Sequence, residues 1–143
     1  MNMDEEFYQE SADKFIFKVK KGLLYSENDV WIRTQGDRSL IGITDFLQRR
    51  GGDVVFAELP QKGKIVRRGD EISSLETIKA IVAVTSPIDG VIEEVNSALN
   101  EKPELINEDP YGDGWMVRVE MTDMDDLKDL LSAEEYAEYV AQQ

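Results

Sequence analysis

Neither cysteine nor histidine occurs among the 143 residues. Their absence excludes disulfides, thiol nucleophiles, the usual zinc sites and the commonest general base. Cations are scarce too: 16 Lys and Arg stand against 30 Asp and Glu, for a formal net charge of -14. Such a chain offers no basic face to neutralise phosphates, so nucleic acid is not a partner. The apolar runs are too short to cross a bilayer, and the N-terminus lacks the basic-then-apolar order of a signal segment. A cytoplasmic protein with no membrane insertion is expected. No nucleophile with a positioned base can be assembled from the residues present, so the chain is not expected to be an enzyme in its own right.

What is present fits one domain with a modest core, 41% of the residues being hydrophobic. In residues 4–20, Phe7, Tyr8, Ala12, Phe15, Ile16 and Val19 recur at spacings of three and four, which predicts an amphipathic helix ended by Gly22. Residues 1–22 therefore read as an N-terminal helical extension. From Val30 to Glu120 the period changes to two or to short apolar runs ("VWIRT", "SLIGI", "DVVFAEL", "AIVAVT", "GVIEEV", "WMVRVE"), and residues 23–121 read as a β domain. A short helix is expected at "TDFLQRR", capped by Thr44. Residues 122–143 read as C-terminal helices on the same domain, one with Asp123, Asp125, Asp126 and Asp129 on a solvated face, the last opening on a Ser132/Glu135 capping box. Trp31 and Trp115 lie in strand-like runs and are expected in the core. The acidic "INEDPYGDG" lacks the alternating ligands of a calcium loop, so no metal site is expected. Two arginine pairs, Arg49–Arg50 and Arg67–Arg68, could meet an acidic partner.

One lysine interrupts "SLETIKAIVAV", an otherwise small and β-branched run from Ser74 to Val84. The stretches before and after Lys79 each hold two short strands joined by a turn, at "RRGD" and "SPIDG". If these halves pair, Lys79 falls at the tip of a tight hairpin with its side chain in water, which is an address for a modifying enzyme. The local residues equally allow a solvated edge-strand lysine that discourages edge pairing.

More of the chain bears on that choice. The blocks "LLYSENDVWIR", "GITDFLQRRGGDVVFAELP", "LETIKA" and "SPIDGVIEEVNSALNEKPELINEDPYGDGW" occur in the order and near the spacing of one family. From about residue 24 to residue 140 the chain resembles the H-protein family of the glycine cleavage system, a group of lipoyl carriers. That resemblance implies a mainly β fold with peripheral helices: a barrel-sandwich hybrid of the lipoyl/biotinyl type, with the lipoyl lysine at a hairpin tip. It implies covalent lipoic acid on Lys79, in the pattern Glu76-Thr77-Ile78-Lys79-Ala80, with Glu76, Thr77 and Ala80 as flanking recognition residues. It also implies a lipoate-protein ligase or a lipoyl synthase and transferase to attach the group, and dihydrolipoamide dehydrogenase as a partner. A lysine carrying an eight-carbon acid reaches on the order of 14 Å, so one dithiolane can visit several active sites while the cofactor supplies the chemistry.

The sequence departs from the family pattern where a loaded arm would rest. In glycine-cleaving members the load is an aminomethyl group, cationic at neutral pH, held by acidic side chains. The two matching positions here are Val30, in "DVW", and Ala83, four residues after Lys79. Phe46 and Ile81 complete an arm cleft that reads as apolar, and an ammonium placed there would lose hydration without gaining a counter-charge. The segment "MDEEFYQESADKFIFKVKKGLLYSENDVW" also resembles lipoate-binding proteins of sulfur-oxidising prokaryotes. The leading expectation is thus an arm shuttling sulfur intermediates and electrons for a heterodisulfide-reductase-like complex. The alternatives are service to the glycine cleavage enzymes and a non-lipoylated interaction module.

Overall fold

A computed structural model describes residues 6–12 and 14–143. Its centre is a seven-stranded sheet in the order β12-β3-β4-β5-β11-β10-β7. These strands are β3 (Leu24–Tyr25), β4 (Val30–Gln35), β5 (Arg38–Ile43), β7 (Ile65–Val66), β10 (Gly90–Val95), β11 (Val117–Met121) and β12 (Leu131–Ser132). A three-stranded sheet, ordered β6-β8-β9, is formed by β6 (Val54–Glu58), β8 (Glu71–Thr77) and β9 (Ile81–Thr85). Between the two sheets lies the larger core, with Val30, Ile32, Ile41, Leu75, Val84 and Val119 buried together.

The expected barrel-sandwich hybrid is not what forms. Among the described residues no sheet closes on itself: β12 and β7 are the edges of the larger sheet, and β6 and β9 of the smaller. The reason lies at the corners. β7 pairs with β10 over only two positions, after which the chain turns at Arg67–Asp70 and continues as β8 in the other sheet. The return strand leaves the small sheet at Ser86, whose N–H donates to Asp70 O and whose carbonyl accepts from Gly69 N. The result is a mixed fold of open sheets with peripheral helices.

The predicted N-terminal helix is likewise replaced. Asp4, Glu5 and Asp13 lie outside the described residues, but Phe7–Ala12 (β1) and Phe15–Lys20 (β2) form an antiparallel hairpin. "FIFKVK" alternates: Phe17 and Val19 are fully buried while Ile16, next to Phe17, is 61% exposed, a period of two. Residues 12, 15, 16 and 19 satisfy helical spacing as well, and Lys14, at a φ of 72°, supplies the turn that spacing alone does not reveal. The hairpin covers a second core on the opposite face of the large sheet, where Tyr25, Trp31 and Leu40 meet Phe17, Val19 and Tyr136. It is fastened by polar bonds as well: Lys18 N donates to Asp45 Oδ2 at 2.8 Å, and Lys18 O and Lys20 O accept from the Tyr111 and Tyr25 hydroxyls at 2.7 and 2.6 Å.

Two helices follow their sequence signals. Thr44 caps α1 (Asp45–Gly51), its side chain accepting from Leu47 N, and Ser132 with Glu135 forms the capping box of α3 (Ala133–Ala141). Residues 105–108 form a single turn, α2 (Leu105–Glu108). The predicted helix after Thr122 is instead a 3₁₀ stretch, Met124–Asp129. Aspartates compete for backbone partners, and here Asp123 accepts from Asp125 N while Asp126 accepts from Asp89 N. Arg68 pairs with Asp129 at 2.7 Å and Asp126 at 3.9 Å, so this acidic face is partly neutralised. Trp31 is fully buried and Trp115 is half-buried against the second core. Among the described residues no helix is long and apolar enough to cross a membrane.

Candidate functional site

Lys79 sits in the three-residue connection Ile78–Ala80 between β8 and β9. The backbone around it is held firmly. Thr77 N donates to Ala80 O at 2.8 Å, and the buried Thr77 hydroxyl accepts from Lys79 N at 3.1 Å and Ala80 N at 3.0 Å. Ile78 N donates to Asp53 O across to the neighbouring chain segment. The side chain of Lys79 is exposed, and among the described residues its ammonium takes part in no ion pair. Its stem lies over Gly52, the C-cap of α1 at a φ of 90°, where a Cβ would stand 3.4 Å from Cδ and Cε of the lysine. Asn107 fixes that glycine in turn, donating to Gly52 O and Gln48 Oε1 and accepting from Val54 N. A rigid tip, a glycine cradle and an accessible amine suit the covalent attachment of an acyl group.

Glu76 and Ala80 are exposed beside the lysine and Thr77 is buried beneath it. The register aligns Phe56, Glu76 and Ile81 across the small sheet, with Phe56 52% and Ile81 74% exposed.

A pocket of about 350 Å³ opens beside β9 and α1, and its walls include Glu27, Asp29, Phe46, Arg50, Ala83 and Tyr139. Ala83 is four residues along the strand from Lys79, roughly 13 Å, close to the reach of a lipoyl arm. Of the four residues predicted to line a cleft, the structure brings Phe46 and Ala83 into this pocket. Val30 is corrected to a core position, fully buried because alternation in β4 turns it into the inter-sheet core, and Ile81, on the same exposed face of β9 as Ala83, stands outside the pocket's walls.

The expected apolar character is also overturned. Asp29 is only 9% exposed and adopts a φ of 66°. Its Oδ1 accepts from the Tyr136 hydroxyl at 2.7 Å, which in turn lies 2.8 Å from the Thr44 hydroxyl. Its Oδ2 lies 3.6 Å from Arg50, whose guanidinium stands 5.0 Å from the Phe46 ring centroid. Sequence reading missed Asp29 as a site residue because attention fell on the next position. The "ND" pair in "SENDVW" signals a left-handed turn, and that turn aims the carboxylate into the pocket while Val30 goes inward. Of the arginine pairs, Arg49 binds Asp45 at 3.0 Å and Arg50 faces the pocket. The stretch Ile106–Gly114 runs from α2 into a bonded loop, Asp109 accepting from Asp113 N, and no metal-holding cluster occurs among the described residues.

Burial raises the Asp29 pKa above its ordinary 3.8, opposed by the Tyr136 bond and Arg50. A carboxyl with a raised folded-state pKa binds more protons when folded, so stability falls as pH rises from about 3.8 through the folded value and stays lowered above it. Asp29→Asn keeps an acceptor for Tyr136 and tolerates the left-handed backbone. Relative to wild type it is expected to gain stability on going from about pH 3.5 to about pH 7, as measured by urea unfolding at the two pH values. A relative loss over that interval would contradict the assignment.

The glycine cleavage H-protein family model matches residues 23–143. The glycine cleavage system H protein of Halothermothrix orenii is 41% identical over 122 residues, covering 85% of this chain and 95% of its own. That of Rubrobacter xylanophilus is 44% identical over 120 residues, covering 84% and 93%. Glycine cleavage system H protein 4 of Aquifex aeolicus is 38% identical over 136 residues, 95% of this chain and 77% of its own. The crystal structure of a glycine cleavage system H protein from Mycobacterium marinum superposes with a TM-score of 0.74 at 34% identity, covering 81% of this chain and 94% of that one.

Proposed function

The chain belongs to the glycine cleavage H-protein family, and on that premise we propose that it is the lipoyl carrier of a glycine-cleaving system, with Lys79 as the attachment residue. Members of this family are non-catalytic, cofactor-carrying subunits of multienzyme systems. The expectation of a sulfur-oxidation carrier is overturned: the family model and the relatives named above are of glycine cleavage H proteins. The apolar cleft that favoured the sulfur reading is a pocket containing Asp29, Glu27 and Arg50.

The observation that carries the proposal is an exposed lysine on a firmly bonded tip, with no ion pair among the described residues, and a carboxylate-bearing pocket at arm's length. When bound, lipoic acid would supply a dithiolane that accepts a group on sulfur and undergoes reduction and reoxidation. The protein's part is positional. Thr77 fixes the tip, Gly52 lets the lysine stem lie close to the end of α1, and Glu76 and Ala80 present the recognition face to an attaching ligase or transferase. The pocket gives the arm a place out of bulk water between encounters with a decarboxylase, an aminomethyltransferase and lipoamide dehydrogenase.

The test is reconstitution. Lipoylated protein added to glycine decarboxylase is expected to support release of CO₂ from glycine in proportion to the carrier supplied, and unlipoylated protein is not. Equal release from both forms would remove the proposed role.

A further inference from the structure

The chain has 16 cations against 30 acids, yet a pocket where β4 turns into β5 is walled by three arginines and, among the described residues, by no acid. Its volume is about 310 Å³, and it shares no residue with the pocket beside β9 and α1. The sheet register brings the arginines together. Arg33 on β4 and Arg118 on β11 are both paired with Leu40 on β5, so the three side chains share one face of the large sheet. Strand spacing sets the two arginine Cα atoms roughly 10 Å apart, with Leu40, only 9% exposed, as the floor between them. Arg38 and its β4 partner Gln35 stand one row farther along the same face.

The three guanidiniums are held differently. Arg38 Nε donates to Glu93 at 2.7 Å, and Arg118 Nη1 lies 3.1 Å from Glu94, so both are braced by glutamates that do not line the pocket. Asp37 and Glu120 approach the two terminal nitrogens of Arg38 only to 3.8 and 4.0 Å, beyond hydrogen-bond distance. Arg33 is exposed and takes part in no ion pair among the described residues. Like charges gathered on one face repel, and here they gather in a chain with nearly two acids for every cation.

We infer that this pocket binds a small phosphate-type oxyanion, free or as the phosphate end of a small molecule, with Arg33, Arg38 and Arg118 as its ligands. A planar carboxylate is satisfied by one guanidinium fork, whereas a phosphate group brings three acceptor oxygens and close to two charges to forks that approach from three sides. Arg38 and Arg118 are already oriented by their glutamates, so little ordering is left for binding to impose. Arg33 supplies the positive charge that no acid offsets, and the Gln35 amide adds a neutral donor. The net charge of -14 disfavours an extended polyanion, which would meet repulsion beyond the pocket, and leaves a compact anion as the occupant. The site is separate from Lys79 and does not require the lipoyl arm.

The test is an NMR titration of the unlipoylated 143-residue chain at constant ionic strength. Inorganic phosphate, glycerol phosphate and acetate are added in parallel, and the arginine Nε–H signals and the backbone amides of residues 33–40 are followed. Both phosphates are expected to move the signals of the three arginines along saturating curves and to bind at least about tenfold more tightly than acetate. Tighter binding of glycerol phosphate assigns the site to a phosphorylated small molecule, and tighter binding of inorganic phosphate assigns it to the free ion. Arg33→Gln and Arg118→Gln are each expected to weaken phosphate binding about tenfold or more, the loss of one charged hydrogen-bond partner, with the amide signals of the small sheet unmoved. Lys62→Gln removes the same charge from an exposed position outside the pocket and is expected to leave binding unchanged. Shifts that stay linear with phosphate concentration, acetate binding as tight as phosphate binding, or equal weakening in Lys62→Gln and Arg33→Gln would overturn the assignment. Neither result bears on the CO₂-release test, which reads the arm at Lys79 alone.

Discussion

Lys79→Arg is expected to abolish lipoylation completely while leaving the fold intact. Amide formation needs a neutral amine to attack the activated carboxyl, and the guanidinium never deprotonates in a protein. The rest of the tip is unaffected by the change, because its bonds come from the Thr77 hydroxyl and from backbone groups. The side chain is exposed and carries no ion pair among the described residues, so stability should move by no more than about 0.5 kcal/mol. Incubation with lipoate, ATP and a lipoate-protein ligase, followed by intact mass, should show one lipoyl group on wild type and none on the variant. A variant that still gains the group would place the arm on another lysine. A wild type that never gains it would leave a non-lipoylated module.

Trp31→Ala is expected to cost about 3–5 kcal/mol, the range for emptying a large aromatic from a core. The indole is fully buried, its N–H donates to Pro110 O at 2.9 Å, and it lies among the residues joining the N-terminal hairpin and α3 to the large sheet. It also rests directly on Gly42, its partner in the β4–β5 register, where a Cβ would fall 2.7 Å from Cζ2. Gly42→Ala should therefore destabilise the wild type by forcing the ring away. In the Trp31→Ala background the same change should be neutral or favourable, because the added methyl enters the vacated space. Guanidinium unfolding of the two single variants and the double variant reads the coupling. Additive losses would show that the ring and the glycine do not share that contact.

The parts of the molecule legible in the sequence are those where one pattern excludes the others. Thr44 and Ser132 open their helices where the capping residues stand, and the alternation in "VWIRT" and "GVIEEV" becomes strand. The N-terminal segment is ambiguous because Phe15 and Val19 fit both a helical spacing of four and a strand period of two, and Ile16 fits the helical one; what decides it is the left-handed turn at Lys14, a backbone event with no apolar signature. The closed barrel failed for a different reason. Strand identity along β7–β10 is local, whereas closure depends on how many rungs each strand shares with its neighbour, and β7 shares only two with β10. At the site, Lys79 and its flanking residues stood out because a cation in an apolar run is conspicuous. Asp29 did not, since a turn aspartate among 30 acidic residues is unremarkable until the fold buries it beside Tyr136. Reading the cleft from the aligned positions Val30 and Ala83 alone therefore pointed to the wrong load.

The central claim is that this chain carries a group derived from glycine on an arm at Lys79. The direct measurement is tandem mass spectrometry of the Lys79-containing peptide after ligase-catalysed lipoylation and then incubation with glycine and glycine decarboxylase. The predicted result is a lipoyl group on Lys79 that has gained an aminomethyl group, with no other lysine modified. A lipoyl group on Lys79 that stays unloaded under conditions where another H protein is loaded would contradict it.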